Sequence, residues 1–141
     1  DLTLDALQEQ ANKFLGDQMQ LPPMVSAIKI DGTPLYKLAR KGKEVERKER
    51  FIHLYKFLIS AYEPPFAWFK VACTKGTYVR SLAHDLGQTL GCGAHLAGLR
   101  RTVSGKFKIS GATTLEELTN LSPADLAKRV VPILKLSAPA T

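Results

Sequence analysis

Apolar positions along the chain follow a helical spacing in some segments and an alternating spacing in others. From position 4 to position 15 they recur three or four residues apart, which predicts an amphipathic helix. Thr3 suits the N-cap of this helix and Gly16 suits its C-terminal stop. Leucines four residues apart in 78–90, followed by Gly91, predict a second helix.

The strongest β-signals form one pair of segments. Residues 51–62 are rich in aromatic and β-branched side chains, and 66–74 alternate apolar with polar. The Glu-Pro-Pro run at 63–65 breaks the pattern between them, so we predict an antiparallel hairpin. Weaker patterns predict further strands over 25–30, 95–103 and 106–109, and short helices over 34–42, 114–118 and 122–130.

The order of these elements indicates the fold class. Helices and strands are both present but do not alternate regularly as β–α–β units, which favours an α+β fold. We expect a mixed, largely antiparallel sheet with flanking helices. The 141 residues fit a single domain over 1–141, and the 45% hydrophobic content supplies a core.

The charge is strongly positive. A net charge of +7 favours a polyanionic partner such as nucleic acid. From position 75 to position 108 there are six Lys or Arg residues and one acidic residue, which predicts a basic surface. The run 37–50 has seven basic and three acidic residues, and a solvated surface with internal ion pairs explains it at least as well as RNA contact.

Several classes of protein are disfavoured. Cys73 and Cys92 stand alone without a Cys/His cluster, so neither a metal site nor a disulfide framework is indicated, and a reducing cytoplasm is expected. No apolar run has the length of a membrane span, and the N-terminus lacks a signal-peptide pattern. The sequence begins at Asp1, and we expect it to be part of something longer.

The most informative segment is 73–81, which reads Cys-Thr-Lys-Gly-Thr-Tyr-Val-Arg-Ser. If the chain stays extended through Tyr78 and Arg80, their side chains point to the same side, whereas a helix that begins earlier separates them. A ring and a guanidinium that face one pocket suit a flipped base and a phosphate or carboxylate. The alternative is a packed tyrosine and a solvated arginine at a strand-to-helix junction.

Three sequence blocks occur in order. The first is Gln-Leu-Pro-Pro-Met-Val-Ser-Ala-Ile-Lys at 20–29, followed by Gly32, Tyr36, Ala39 and Arg40; the second is 73–80 with Asp-Leu-Gly at 85–87; the third is Leu-Arg-Arg-Thr at 99–102 with Gly105. Together with Gly-Cys-Gly-Ala-His at 91–95, they resemble the TruB family of tRNA pseudouridine synthases. The resemblance covers about residues 18–108.

This resemblance implies a uridine isomerase acting on uridine 55 in the T arm of tRNA. Such an enzyme flips its base, breaks the C1′–N1 bond and rejoins the base at C5, without metal or organic cofactor. The family's catalytic aspartate lies in an upstream Gly-x-Leu-Asp-Pro type motif that does not occur here. We therefore expect a partial catalytic domain that lacks its N-terminal half and is inactive alone; the family's C-terminal RNA-binding extension is not evident either.

The resemblance also implies roles for three pocket residues. Arg80 matches the arginine that pairs with the catalytic aspartate, and Tyr78 matches a tyrosine that lines the pocket beside the flipped base. Leu99 matches the apolar residue that closes the pocket against the uracil. From composition alone, a core leucine explains Leu99 equally well.

Candidate RNA contacts are basic residues within or beside these blocks. They are Lys29, Arg40, Lys75, Arg100 and Arg101. Lys29 is equally consistent with a solvated lysine at a strand end. The two adjacent arginines point to opposite sides if they lie in a strand, so that only one reaches RNA, and the sequence does not choose between them.

Two other functions remain open at this point. The chain is alternatively a non-catalytic RNA-binding module of the same fold, or a protein-interaction domain whose basic charge is incidental. His84 and Asp85 are adjacent, and adjacent helical residues do not face one another, so we interpret Asp85 as structural and His84 as a surface residue. Unpaired strand edges further predict that the isolated chain self-associates or is marginally stable.

Overall fold

The computed structural model describes residues 2–26, 29–30, 33–34, 37, 40, 42 and 46–132. By their internal contacts, residues 1–97 and 98–141 form two compact units, here called the first and second unit. Each unit combines helices with antiparallel strand pairs, so the α+β class is confirmed. The single domain over 1–141 stays a prediction.

The first unit begins with helix α1, Leu4–Asn12. The Thr3 hydroxyl accepts a hydrogen bond from the Ala6 amide at 3.2 Å, which confirms the predicted N-cap. The helix ends earlier than its apolar pattern, and Gly16 does not stop it. Gly16 instead has a φ of +89° at the start of the first strand, a conformation that glycine adopts without steric cost.

The main sheet has three antiparallel strands in the order β1-β4-β5. They are β1 (Gly16–Gln20), β4 (Arg50–Glu63) and β5 (Phe66–Cys73). The predicted hairpin of β4 and β5 is confirmed. The sequence did not predict β1, whose Gly-Asp-Gln-Met-Gln segment lacks apolar alternation; it is a strand because it pairs with β4, with Gly16 opposite Leu54 and Gln20 opposite Arg50.

A second, two-stranded ladder joins β2 (Lys29–Ile30) to β3 (Thr33–Pro34). The predicted strand over 25–30 is therefore only partly right, because residues 24–26 form a bend. Pro34 lies at the end of β3 and not in the first turn of a helix; the end of such a short ladder tolerates its missing N–H. Most of the predicted helix over 34–42 lies outside the described residues.

The core lies on one face of β4, against α1 and helix α2 (Val79–Thr89). Strand β4 contributes four buried side chains, and Phe57 meets Phe14 and Phe69 edge to face, with ring centroids 6.1 and 5.3 Å apart. Helix α2 contributes two leucines at four-residue spacing. The buried cluster is Leu7, Ala11, Ile52, Leu54, Phe57, Ile59, Leu82 and Leu86.

In its described range of 98–132, the second unit contains a hairpin of two two-residue strands, a 3₁₀ turn and two short α-helices. The hairpin pairs β6 (Val103–Ser104) with β7 (Phe107–Lys108), and a single 3₁₀ turn follows at Ile109–Gly111. The predicted helices correspond to α3 (Leu115–Thr119) and α4 (Pro123–Arg129). The strand predicted over 95–103 is wrong except at Val103, the first residue of β6: residues 93–102 are irregular, and none of them pairs in a ladder.

Candidate functional site

The turn between β5 and α2 is fixed to the sheet by backbone and hydroxyl hydrogen bonds. The Thr74 amide donates to the His53 carbonyl at 3.0 Å, and the Thr74 hydroxyl accepts from the His53 amide at 2.9 Å. The Thr77 hydroxyl donates to the Thr74 carbonyl at 2.9 Å. Gly76 has a φ of +86°, so the tight turn requires a residue without a Cβ. The turn therefore delivers Tyr78 at a defined place.

Tyr78 is the N-cap of α2 and is the last extended residue of this segment. Its φ and ψ are −96° and 104°, and the helix begins at Val79. The helix predicted over 78–90 is confirmed, and Arg80 lies in its first turn, so the condition that the chain stays extended through both residues is not met. Tyr78 is half-buried and Arg80 is exposed. The two residues share one junction but are not on one strand face.

The junction contacts the first sequence block directly. The Arg80 Nη2 donates to the Val25 carbonyl at 2.6 Å, and the Ser81 hydroxyl donates to the Leu21 carbonyl at 3.3 Å. A guanidinium carries five N–H donors, so an exposed Arg80 retains donors for a carboxylate or a phosphate. Blocks that lie more than 50 residues apart in sequence are thus brought together.

Gln20 makes the most specific contact at the junction. Its Oε1 accepts from the Tyr78 amide at 2.8 Å, and its Nε2 donates to the Tyr78 carbonyl at 3.1 Å. The side chain is 4% exposed. Sequence reasoning assigned no role to Gln20, because its inward direction depends on the pairing of β1, which the sequence did not reveal.

The remainder of the 20–26 segment is also held by hydrogen bonds. Pro22 is fully buried, and its carbonyl accepts from the Arg47 Nη1 at 2.9 Å. The Ser26 amide donates to the Met24 carbonyl at 3.0 Å, while the buried Ser26 hydroxyl has no partner among the described residues. The backbone of residues 20–26, which contacts the start of α2, is therefore held in one conformation.

Helix α2 is held at its other end by a close backbone approach. The Gly93 amide donates to the Gly87 carbonyl at 2.9 Å. A Cβ added to Gly87 would lie 2.2 Å from the Ala94 nitrogen, so only glycine fits there. The Asp-Leu-Gly run at 85–87 and the Gly-Cys-Gly-Ala run at 91–94 therefore pack against each other.

His84 and Asp85 lie on the exposed side of α2. Partial burial raises the pKa of the Asp85 carboxyl, and the charge of His84 partly offsets this effect. No hydrogen bond joins their side chains among the described residues, and the structural interpretation of Asp85 stays a prediction.

The candidate RNA contacts of the first unit lie in different elements. Lys75 is exposed in the turn beside Gly76, and Arg40 is exposed. Lys29 lies in β2. Lys75 is thus close in sequence to the Tyr78 junction, whereas Lys29 is the last residue of the first block and Arg40 follows that block.

Leu99, Arg100 and Arg101 belong to the second unit and are exposed. They lie in the irregular segment before β6, so the argument that a strand directs the two arginines to opposite sides does not apply. Leu99 is 66% exposed and is not a core leucine of its unit.

The described residues contain no group of three or more His, Cys, Asp or Glu side chains that would hold a metal ion. In the same part of the chain, no helix combines the length and the apolar composition needed to cross a bilayer.

Family models match almost the whole chain. Residues 1–79 match the TruB family pseudouridylate synthase N-terminal domain, and 80–134 match the tRNA pseudouridylate synthase B C-terminal domain. The two matches meet between Val79 and Arg80, at the junction described above.

Curated relatives carry the same description. The chain is 57% identical over 120 residues to the tRNA pseudouridine synthase B of Opitutus terrae, covering 85% of this chain and 50% of that protein. It is 54% identical over 114 residues to the tRNA pseudouridine synthase B of Pseudomonas aeruginosa, covering 81% and 38%. The chain therefore spans about half, or less, of the length of these relatives.

A solved structure has a similar fold. A chain in the crystal structure of a Cbf5-Nop10-Gar1 complex superposes with a TM-score of 0.75 at 30% identity. The match covers 96% of this chain and 39% of that one.

Proposed function

Because the chain belongs to the TruB family of pseudouridylate synthases, we propose that it forms part of an enzyme that converts a uridine of tRNA into pseudouridine. The substrate we propose is uridine 55 in the T arm, and the compartment is the cytoplasm. The reaction breaks the C1′–N1 glycosidic bond, turns the base, forms a C1′–C5 bond, releases the hydrogen of C5 as a proton and leaves a proton on N1. No metal or organic cofactor is needed for this balance of atoms.

The observation that carries the proposal is the junction of Tyr78 and Arg80 with the 20–26 segment. Arg80 lies in the first turn of α2 and donates to the Val25 carbonyl. Its remaining N–H donors are therefore presented from a backbone that is held by the β5–α2 turn and by the 20–26 segment. Such a guanidinium suits an ion pair with a catalytic carboxylate, which a bidentate arginine holds in one orientation. We propose that this carboxylate, an aspartate, comes from a segment of the enzyme outside this sequence.

The pocket residues then have distinct roles. Arg80 forms an ion pair with the aspartate and keeps it ionised. Tyr78 lines the pocket beside the flipped uracil, and Leu99 closes the pocket against the face of the base. An aromatic ring and an apolar side chain favour an unstacked base because both shield its faces from water.

The proposed tRNA contacts are basic residues other than the proposed pocket residues. They are Lys29, Arg40, Lys75, Arg100 and Arg101. Contacts from lysine and arginine to phosphate position the RNA without reading its sequence. The net charge of +7 supports this assignment.

The proposal is tested with a T-arm RNA labelled with tritium at C5 of uridine. The chain is assayed alone and as a hybrid enzyme, in which it is joined to the part of the Opitutus terrae relative that it does not match. We expect tritium release from the hybrid enzyme and none from the chain alone. The intact relative is the positive control, and nucleoside analysis of the RNA identifies pseudouridine.

The alternative results discriminate between the candidate functions. A hybrid enzyme that binds the RNA without releasing tritium would favour the non-catalytic RNA-binding module. Affinity that is weak and insensitive to salt would favour the protein-interaction domain, since phosphate contacts weaken steeply as salt rises. Release by the chain alone would place the catalytic aspartate within these residues, with Asp31 and Asp85 the first to test.

A further inference from the structure

We propose that Gln20 is a positioning residue: its buried side-chain amide fixes the peptide of Tyr78 and thereby the point at which α2 begins. The inference rests on the proposed function, since it concerns the pocket that Tyr78 and Arg80 form. It adds a residue to which neither the sequence blocks nor the family assignment gives a task.

The geometry matches a carboxamide to a peptide group. A glutamine side chain offers one carbonyl acceptor and two N–H donors. In this structure its Oε1 and Nε2 meet the Tyr78 N–H and C=O at 2.8 and 3.1 Å. Two hydrogen bonds to a single residue fix both its position and its orientation, which one bond does not.

Tyr78 is an unusual residue for the position that it occupies. Helix N-caps favour Ser, Thr, Asp or Asn, whose side chains accept hydrogen bonds from the first turn. The Tyr78 side chain makes no such bond. The start of α2 is therefore not stabilised by a capping side chain of its own. Gln20, at the end of β1, holds it instead.

The Tyr78 carbonyl connects Gln20 to the helix. It accepts the helical hydrogen bond from the Leu82 amide at 3.2 Å as well as the bond from Gln20. Leu82 is itself a core residue. A displacement of the Tyr78 peptide would therefore shift the first turn of α2, where Arg80 lies.

The neighbouring contacts do not substitute for Gln20. The hydrogen bonds of Arg80 and Ser81 to the 21–25 backbone are exposed, whereas the Gln20 side chain is buried and its two bonds to Tyr78 are partly buried. Water competes less for hydrogen bonds that are withdrawn from solvent, and a buried side-chain amide that loses its partners keeps its desolvation cost. The two Gln20 bonds therefore restrict the position of the Tyr78 peptide more than the Arg80 and Ser81 bonds do.

The test compares two glutamines of the same strand in the hybrid enzyme. Gln20→Met retains most of the side-chain volume and removes both hydrogen bonds. Gln18→Met is the matched control, because the Gln18 Nε2 donates to the Phe14 carbonyl at 2.6 Å, away from the junction. Gln20→Glu is the second variant, which keeps an acceptor for the Tyr78 amide. The readouts are kcat and KM for tritium release and hydrogen exchange at the Tyr78 amide, resolved by NMR with ¹⁵N-labelled tyrosine.

We expect Gln20→Met to lower kcat by roughly 10- to 100-fold, because a misplacement of about 1 Å at reacting groups has effects of that order. KM for the RNA should stay within about twofold, since the lost contact does not bind substrate. Exchange at the Tyr78 amide should accelerate by about tenfold or more. Gln20→Glu should lie between Gln20→Met and the unsubstituted enzyme, and Gln18→Met should leave kcat and Tyr78 exchange unchanged.

Three results would overturn the inference: unchanged exchange at Tyr78 in Gln20→Met, a normal kcat despite faster exchange, or an equal loss of kcat in Gln18→Met. If the unsubstituted hybrid enzyme releases no tritium, the proposed function fails separately. In that case exchange at Tyr78 still decides whether Gln20 fixes the helix start.

Discussion

The two units of the chain are stabilised in different ways. The first unit buries a cluster of apolar side chains between β4 and two helices, with Phe57 only 2% exposed. In the second unit, no residue in its described range of 98–132 is buried, and Leu115 of α3 is 78% exposed. The elements of the second unit are instead defined by local contacts.

Helix caps are the clearest of these local contacts. At α3, Thr114 and Glu117 form a reciprocal capping box, and at α4 the Ser122 hydroxyl accepts from the Asp125 amide at 3.2 Å. Lys128 adds an ion pair with Asp125 at 2.8 Å. Such contacts choose where a helix begins but contribute little free energy, so the units should respond differently to the same kind of substitution.

The largest expected difference concerns two phenylalanines. Phe57→Ala should destabilise the first unit by about 3–5 kcal/mol, because it removes a buried ring and leaves a cavity. Phe107→Ala is the matched variant in the second unit, where the ring is 51% exposed, and should change the free energy of unfolding by less than about 0.5 kcal/mol.

Urea unfolding followed by the fluorescence of Trp68, the single tryptophan, and by circular dichroism measures both variants. Equal shifts of the midpoint for the two variants would remove the distinction between the units.

A smaller effect is expected at two glycines. Gly87→Ala places a Cβ 2.2 Å from the Ala94 nitrogen, a backbone atom that has to move, and should cost about 1–3 kcal/mol. Gly98→Ala is the control, because no heavy atom lies within 4 Å of its added Cβ. The same unfolding experiment measures both, and a neutral Gly87→Ala would show that the α2 contact is loose.

The smallest expected effect is on pH dependence, and its sign differs between the units. Hydrogen bonds from the Thr114 backbone and side chain lower the pKa of Glu117, so its contribution to stability is present above the unfolded pKa and is lost as the pH falls through the folded pKa. Burial raises the pKa of Asp85, so its contribution is present below the unfolded pKa and is lost as the pH rises through the folded pKa.

Acidification through the carboxyl range should therefore weaken α3 while it stabilises α2. Amide exchange in the two helices, measured as a function of pH, checks this result. Glu117→Gln is the control, because glutamine retains the capping box without a titrating group and should abolish the pH dependence of α3. A change of amide exchange in the same direction in both helices would contradict the opposite pKa shifts of Glu117 and Asp85.

Much of the fold could be predicted from the sequence where the signal is local. The Thr3 cap and the break at 63–65 are readable from a few neighbouring residues. Strand β1 was not predicted, because polar Asp17 and Gln18 become strand residues only through their partners on β4, more than 30 residues away. The expected strand at 95–103 failed for the complementary reason, since apolar residues alone do not supply a pairing partner.

The candidate site likewise combines residues that the sequence indicates with contacts that depend on distant parts of the chain. Tyr78 and Arg80 were chosen from residue types and from resemblance, and their roles stay predictions. The extended geometry that would have placed both side chains on one side does not occur, because α2 begins at Val79. The contacts of Gln20 and Val25 with this junction depend on tertiary packing, and no spacing in the sequence indicates them.

The most direct test of the central claim is the rate of tritium release by the hybrid enzyme when Arg80 is replaced. Arg47→Ala is the matched control, because Arg47 also donates to a carbonyl of the 20–26 segment. We expect Arg80→Ala to lower kcat by roughly 100-fold or more while much of the tRNA affinity remains, since loss of one aligned charge partner has effects of that order. Arg47→Ala should retain activity. Near-normal turnover by Arg80→Ala, or an equal loss in both variants, would contradict the role of this junction in uridine isomerisation.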